Sequence, residues 1–314
     1  MLTFEVLSSG LLTTLQDSGR FGFEDQGIPP AGAMDEFSAA IANALVNNPD
    51  DYGVLEITLT GPTLRLTGEQ AVSVALTGDL AITLNGEPQS GYQCIKVMPG
   101  DVLAVPRVLS GARGYLAIAG GFSVTPVMGS VSTLTRAGLG GFAGRPLMKG
   151  DQLPLNNSGK PVLSHTRVQR ILPQQEKRPV RVVWGPQDDY FSPEARHLFT
   201  TQTWALSSQC DRMGYRLTGQ PLSHLKGYNI VSDAIARGSI QIPGNGQPII
   251  AMNDRQTTGG YPKIATIIRA DHARLGQMKP GDKLSFEAVT VEKAEDLWRG
   301  RQKHLQQWLD SLRR

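Results

Sequence analysis

Cysteine, aromatic residues and net charge are all scarce in this sequence. Only Cys94 and Cys210 are present, and their separation matches no metal-binding or redox motif, so we expect a reduced, cytoplasmic chain. Aromatic residues make up 6% and the net charge is +3, which argues against nucleic acid and membrane surfaces as partners. No apolar run is long enough to cross a bilayer, and the first residues lack the pattern of a signal peptide.

Familiar catalytic motifs are missing as well. The sequence has neither a phosphate-binding loop of the Walker type nor the nucleophile elbow of serine hydrolases. Its five histidines, at positions 165, 197, 224, 272 and 304, follow no ligand spacing, so no metal site is predicted. The chain therefore shows no ATP site, metal centre or covalent nucleophile of its own.

Short runs typical of β-strands recur along the chain. They are rich in β-branched residues and are bounded by Gly, Pro, Asp or Asn. The clearest are GVLEITL (53–59), AVSVALTG (71–78), VLAVP (102–106), GYLAIAGG (114–121), VRVVWGP (180–186) and KIATIIRA (263–270). Because the runs do not alternate with long helical patterns, they predict a mainly β fold and argue against a doubly wound parallel sheet.

Three segments predict helices. MDEFSAAIANALV (34–46) places apolar residues on one face and offers Asp35 as N-cap, and SPEARHLF (192–199) opens with a Ser-Pro pair suited to a first turn. The last segment, 291–314, is amphipathic over its length. Packing of this helix on its own chain is favoured over docking of a partner.

A recurring turn motif suggests two related halves. MPGDVL (98–103), MKGDQL (148–153) and KPGDKL (279–284) each place Gly-Asp ahead of an apolar residue, which predicts a tight turn followed by a strand. A polar, Pro-containing segment near 155–178 is the predicted linker. We therefore predict an N-terminal domain over 1–165, a C-terminal domain over 166–290 and a terminal helix over 291–314.

Three loops combine Asp, Arg and Gly, and they are the predicted functional segments. They are TLQDSGRFGFEDQGIPPAGAMD (14–35), CDRMGYRLTG (210–219) and DRQTTGGYPKIATIIRAD (254–271), the last preceded by GSIQIPGNGQPIIAMND (238–254). Guanidinium groups match carboxylates and phosphates, and glycine lets backbone N–H groups approach a ligand closely. If the loops meet, Arg20, Arg212, Arg216 and Arg255 would surround an anion.

Ordinary structural roles compete with this interpretation at each single residue. Asp17, Asp35 and Asp211 would serve equally well as caps or Asx turns, and Met213 and Tyr215 fit core packing better than ligand binding. Function is favoured for residues 256–261, because Gln-Thr-Thr-Gly-Gly-Tyr places polar and flexible residues directly before a strand that must be buried.

Several of these segments together resemble a known family. TLQDSGR, GAMD, CDRMGYRL, SIQIPGNGQPI and DRQTTGGYPKIATIIRAD are similar to the biotin-dependent carboxyltransferase-like family. That family includes allophanate hydrolase subunit 2 proteins and the C subunit of the bacterial ATP-dependent 5-oxoprolinase. The resemblance runs from Leu15 to about Phe286 and implies two cyclophilin-like β-barrel domains with few short helices and a C-terminal helix.

The resemblance implies an enzyme component that is inactive alone. With the partner A and B subunits of 5-oxoprolinase in a hetero-oligomer, it would convert 5-oxoproline, ATP and water to glutamate, ATP being bound with the partners. No biotin-attachment signal is evident in this chain. Two alternatives stay open at this point: a carboxyltransferase component acting on urea or a related amide with a biotin partner, and a non-catalytic regulator that binds a partner protein.

The residues that we expect to form the site come from the three loops. Asp254, Tyr261 and Lys263 are the candidates for proton transfer. Amide edges would be bound by Gln or Thr side chains and carboxylates by Arg. The predicted substrate-binding residues are Asp17, Arg20, Arg212, Arg216, Gln241, Gln256, Thr257, Thr258, Gly259 and Gly260.

Overall fold

The computed structural model describes residues 2–156 and 178–313. It divides into two compact units. The first contains residues 2–20, 31–156 and 305–313, and the second contains residues 21–30 and 178–304. The predicted domain boundary at 165/166 and most of the predicted linker lie outside the described residues, so those limits stay predictions.

The first unit is built around one antiparallel sheet. Its strands are β1 (Thr3–Ser8), β2 (Leu12–Gln16), β3 (Val54–Thr58), β4 (Thr63–Thr67), β5 (Val72–Leu84), β6 (Glu87–Gln89), β7 (Cys94–Val97), β8 (Val102–Ile118) and β9 (Gln152–Pro154). The order β2-β3-β8-β4-β1-β9 forms the main path, and β5 pairs with β6, β7 and β8. The sheet is a half-barrel.

Apolar side chains from alternating strand positions form the core of this unit. Leu55, Leu64 and Leu116 are fully buried within one apolar cluster, as expected where one face of a strand packs inward. A second cluster joins helix α1 (Glu36–Leu45) to the sheet through Ile41 and Leu45. Asp35 caps that helix by accepting a hydrogen bond from the Ser38 amide at 3.1 Å, as predicted.

The second unit has a sheet that nearly closes on itself. Its strands are β10 (Val180–Trp184), β11 (Trp204–Cys210), β12 (Gly214–Thr218), β13 (Asp233–Ala234), β14 (Ser239–Gln241), β15 (Ile249–Ala251), β16 (Thr258–Gly259), β17 (Lys263–Ile267), β18 (Lys283–Leu284) and β19 (Phe286–Ala288). The order is β18-β11-β12-β15-β14-β17-β10-β19. Because only Ser285 separates the two outermost strands, the sheet is a nearly closed barrel. β13 and β16 form a separate two-stranded ribbon.

Aromatic side chains fill part of the core of the second unit. Phe199, on helix α2 (Pro193–Thr201), stacks on Phe286 with ring centroids 4.5 Å apart. The indole of Trp204 donates a hydrogen bond to the Phe199 carbonyl at 3.1 Å. Ser192 caps α2 and Pro193 follows it in the first turn, as the Ser-Pro pair predicted. The remaining helices are α3 (His272–Gly276) and α4 (Val291–Leu312).

The three Gly-Asp turns confirm the prediction from the recurring motif. Asp101, Asp151 and Asp282 each accept a hydrogen bond from the backbone amide three residues earlier, at 2.8, 2.8 and 3.0 Å. The preceding glycines have positive φ angles of 89°, 92° and 88°, which glycine adopts without steric cost. A strand begins directly after each turn.

Two strand predictions need correction. The runs 102–106 and 114–121 belong to one strand, β8, because shifts in register against β5 let pairing continue past Pro106 and Gly111. The run 263–270 ends as a strand at Ile267. The next residue, Ile268, donates its backbone amide to the Arg181 carbonyl at 3.1 Å, and a 3-10 turn follows at Arg269–Asp271.

Within the described ranges, no helix is long and apolar enough to cross a membrane. The mainly β fold predicted from the sequence is confirmed.

Candidate functional site

Residues 254–263, which we call the candidate loop, are held by a second segment of the same unit. Asp233 and Ala234 pair with Gly259 and Thr258 in the β13–β16 ribbon. Flanking this ribbon, the Ile235 amide donates to the Thr257 carbonyl and the Ile230 amide to the Gly260 carbonyl, both at 2.9 Å. The loop is therefore fixed by backbone hydrogen bonds along most of its length, which leaves its side chains to face other groups.

Arg212 and Asp254 form a buried ion pair at the start of the candidate loop. The guanidinium Nε and Nη2 lie 3.0 and 2.9 Å from the two carboxylate oxygens. The two side chains are only 5% and 3% exposed, and the Asp254 amide also donates to the Arg212 carbonyl at 2.8 Å. This bidentate ion pair joins the predicted loops 210–219 and 254–271. Both oxygens of the Asp254 carboxylate are therefore occupied by a contact inside the protein.

Arg255 is also held by contacts within the second unit. Its Nε donates to the Ile235 carbonyl at 2.8 Å, and its Nη2 lies 3.2 Å from the Glu24 carboxylate. Burial lowers the pKa of Arg255, while the charge of Glu24 raises it. Arg255 thus ties the candidate loop to the segment 21–30 of the same unit.

Lys263 lies where the candidate loop enters β17. Its ammonium donates to the Asp233 carboxylate and, at 3.1 Å, to the Ala234 carbonyl. A hydrogen bond from Lys263 lowers the pKa of Asp233, as a neighbouring cation does for a carboxylate. Since Lys263 is on the barrel and Asp233 on the ribbon, their ion pair fastens the ribbon to the barrel.

Gln241 lies opposite Lys263 on the neighbouring strand. A shift in register between Ile240 and Gln241 interrupts the pairing of β14 with β17 at this point, and such bulges redirect side chains. A Cβ atom built on Gly259 would lie 2.7 Å from Gln241 Nε2 and 2.6 Å from Ile235 Cδ1. Only glycine lets the loop backbone lie so close to the Gln241 amide.

The remaining polar side chains of this region are unused. Among the residues that the structure describes, no hydrogen bond is made by the side chains of Gln241, Gln256, Thr257, Thr258 or Tyr261. Gln256, Thr258 and Tyr261 are exposed, whereas Gln241 and Thr257 are half-buried. Amide, hydroxyl and phenol groups that serve no internal contact are available to a small ligand with amide and carboxylate groups.

The other predicted residues belong to other elements of the fold. Arg216 is exposed on β12, between the buried Tyr215 and Leu217, and does not join the Arg212–Asp254 pair. Arg20 and Asp17 belong to the first unit. There Arg20 is buried and donates to the Ser132 carbonyl.

Asp17 has a structural role in the first unit. Its carboxylate accepts hydrogen bonds from the backbone amides of Gly19 and Val131, at 2.8 and 2.7 Å, and from the hydroxyls of Ser130 and Ser132. The Gly19 contact is the Asx turn that the sequence left open as an alternative. Asp17 also lines a pocket of about 260 Å³, together with Tyr52, Phe122 and others. Whether Asp17 or Arg20 contacts a substrate stays a prediction.

Known proteins resemble this chain over nearly its whole length. The family model of the carboxyltransferase domain, subdomains A and B, matches residues 26–288. The chain belongs to this carboxyltransferase-domain family. It is 37% identical to the 5-oxoprolinase C subunit of Escherichia coli over 303 residues, and 36% identical to that of Haemophilus influenzae over 304 residues, covering 96% of each chain in both cases.

A solved structure of the family has the same fold. The crystal structure of the Kluyveromyces lactis urea carboxylase superimposes with a TM-score of 0.88 at 31% identity, over 98% of this chain. The matched part is 29% of the urea carboxylase chain. The resemblance inferred from the sequence segments is confirmed.

The carboxyltransferase-domain fold brings in residues that the sequence analysis missed. Asp233 and Gln187 contact Lys263, but no local motif marks them. Glu24, which contacts Arg255, lies within the predicted loop 14–35 but was not singled out there. Asp233 lies 30 residues before Lys263 in the chain, and only the pairing of β13 with β16 brings the two together. Within the described parts of this family member, no three His, Cys, Asp or Glu side chains are grouped as a metal site requires.

Proposed function

We propose that this carboxyltransferase-family chain is the C subunit of an ATP-dependent 5-oxoprolinase. It would act with the A and B subunits to convert 5-oxoproline, ATP and water to glutamate. The observation that carries the proposal is the 37% identity to the Escherichia coli 5-oxoprolinase C subunit over 96% of both chains. The match extends over nearly the whole of both sequences rather than over a shared part.

The chemistry of the candidate loop is consistent with this substrate. 5-Oxoproline is a small cyclic amide that carries a carboxylate. The free side chains of Gln241, Gln256 and Thr257 offer donors and acceptors for the amide group, and Lys263 offers a positive charge for the carboxylate. Tyr261 is the remaining candidate for proton transfer, because Asp254 is bound to Arg212.

ATP and the partner proteins form the next part of the proposal. The chain contains no nucleotide-binding motif, so we place ATP with the A and B subunits or on a surface that they complete. The chain alone would then hydrolyse neither ATP nor 5-oxoproline. We expect the assembly in the cytoplasm, as a hetero-oligomer without biotin.

The test is partner-dependent glutamate formation. The chain is assayed for glutamate release and ATP hydrolysis alone, with either the A or the B subunit, and with both. Glutamate formed only in the full mixture, and lost when this chain is omitted, is the expected result. Absence of glutamate from the full mixture would exclude 5-oxoprolinase as the function.

Carboxyl transfer to urea or a related amide is the second candidate. The observation that favours it is the TM-score of 0.88 to the Kluyveromyces lactis urea carboxylase. This candidate requires a biotinylated partner, so carboxylation of urea should appear when such a partner is supplied and should disappear when avidin is added. Glutamate formation in the avidin-treated mixture would instead support the first candidate.

A further inference from the structure

Lys263 and Asp233 form an unusual pair in which only one partner is buried. The Lys263 side chain is 4% exposed, whereas the Asp233 side chain is 49% exposed. Burying an ammonium group is costly unless hydrogen-bond acceptors surround it. The fold therefore keeps a buried cation whose carboxylate partner is supplied by the short ribbon that also holds the candidate loop.

The Asp233 carboxylate is itself fixed from more than one side. Its Oδ1 accepts a hydrogen bond from the Ala234 amide at 2.8 Å, and the nearby Gln187 side chain helps to lower the pKa of the Asp233 carboxyl. Gln187 Oε1 in turn accepts the backbone amide of Lys263, at 3.2 Å. This network sets the place of the carboxylate relative to β17 and lowers the pKa of Asp233, mainly through Lys263.

One donor of the Lys263 ammonium is left over. An ammonium has three N–H donors, and two are used by Asp233 and Ala234. Within the described part of the chain, the third N–H has no acceptor. The neighbouring residue Gln241 has an unused amide, and Gly259, which pairs with Asp233, lies directly against that amide.

We propose that Asp233 is the positioning residue for Lys263, and that the remaining N–H of Lys263 binds the carboxylate of the amide substrate. This inference rests on the proposed function, and it adds a residue that the sequence did not indicate. Asp233 holds the buried amine in place at the ribbon, so the ribbon and the cation act as one unit. A substrate without a carboxylate would gain nothing from Lys263.

The chain offers a matched control pair. Lys226 and Asp189 in the same unit also form an ion pair, but their side chains are 53% and 58% exposed. Asp189→Asn removes the carboxylate partner of Lys226, which is well solvated by water. Asp233→Asn removes the carboxylate partner of Lys263, which is only 4% exposed.

The first arm uses the chain alone and needs no enzyme activity. Lys263 and Lys226 are labelled with acetic anhydride over a range of pH, and the modified peptides are quantified by mass spectrometry. In Asp233→Asn, the Lys263 amine loses a charge-assisted hydrogen bond and is no longer held against the ribbon, so its labelling at a given pH should rise by about tenfold or more. Asp189→Asn should change the labelling of Lys226 by less than about twofold.

The second arm uses the complete assembly. Asp233→Asn should raise KM for 5-oxoproline with little change in kcat, because Lys263 is no longer held in place to bind the substrate carboxylate. Lys263→Met should raise KM for 5-oxoproline by about tenfold or more. It should leave inhibition by 2-pyrrolidinone, the same ring without the carboxylate, unchanged.

The two arms separate the outcomes. Unchanged labelling of Lys263 in Asp233→Asn overturns the positioning role, and equal loss of 5-oxoproline and 2-pyrrolidinone binding in Lys263→Met overturns the carboxylate contact. If the wild-type assembly makes no glutamate, the proposed function fails, together with the carboxylate contact that rests on it. The labelling arm then decides the Asp233–Lys263 pair by itself.

Discussion

Removing the Asp254 carboxylate should destabilise the second unit strongly. Asp254→Ala leaves the Arg212 guanidinium, 5% exposed, without its two charged hydrogen bonds of 2.9 and 3.0 Å. Breaking one side of a buried ion pair costs about 3–5 kcal/mol. With a slope of about 2 kcal/mol per M urea, the unfolding midpoint should fall by about 2 M.

Urea unfolding followed by tryptophan fluorescence, to which Trp204 in the core of the same unit contributes, measures this effect. Glu295→Ala serves as the control, because its ion pair with Arg299 is more than half exposed and its loss should change stability by no more than ~0.5 kcal/mol. The double variant Arg212→Met, Asp254→Leu should recover much of the loss, since it removes both charges. A stable Asp254→Ala protein would refute a structural role for this pair and return Asp254 to the substrate site.

Two further predictions concern a glycine of the candidate loop and an acid-sensitive carboxylate. Gly259→Ala should reduce glutamate formation by about tenfold or more, because the new Cβ would lie 2.6 Å from Ile235 and 2.7 Å from Gln241. Gly260→Ala should remain near wild type, because its Cβ would make only ordinary contacts, 3.4 Å from the Ile230 carbonyl and 4.0 Å from the Ser232 hydroxyl. Equal activity of both variants would contradict the close packing at Gly259. Burial raises the pKa of Asp271, but hydrogen bonds from Arg181 and Arg178 outweigh it and lower the pKa below its usual value of 3.8. The stability that Asp271 contributes is therefore present above about pH 4 and lost as the pH falls further. The urea midpoint of Asp271→Asn should consequently change less with pH than that of wild type at acid pH. Midpoints of the two proteins that fall in parallel with pH would refute this.

Local chemistry explains which features the sequence predicts. The Gly-Asp turns and the caps at Asp35 and Ser192 depend on residues within four positions of one another, so the pattern alone identifies them. The run 102–121 is harder, because Pro106 and Gly111 are usual ends of strands. Here the register shifts of the partner strand β5 accommodate them, and a partner that is distant in sequence leaves no local signal.

In the candidate site, too, local features can be predicted from the sequence, whereas contacts between distant segments cannot. The polar stretch 256–261 predicts an exposed functional loop, and its unused side chains are consistent with that. Which charges are bound internally depends on contacts between distant segments: Arg212 with Asp254 across 42 residues, and Lys263 with Asp233 across 30. A single sequence does not distinguish an arginine that faces a ligand from one that is paired in the fold.

The most direct test of the account is glutamate release from 5-oxoproline by the complete mixture of subunits, with wild-type chain or with Gln256→Ala. Arg299→Ala is the control, because Arg299 lies on α4, is 67% exposed and belongs to none of the predicted functional loops. The account predicts ATP-dependent glutamate formation that Gln256→Ala lowers by about tenfold or more and Arg299→Ala leaves unchanged. Full activity of Gln256→Ala would contradict the candidate loop as the substrate site, and no glutamate with wild type would contradict the function itself.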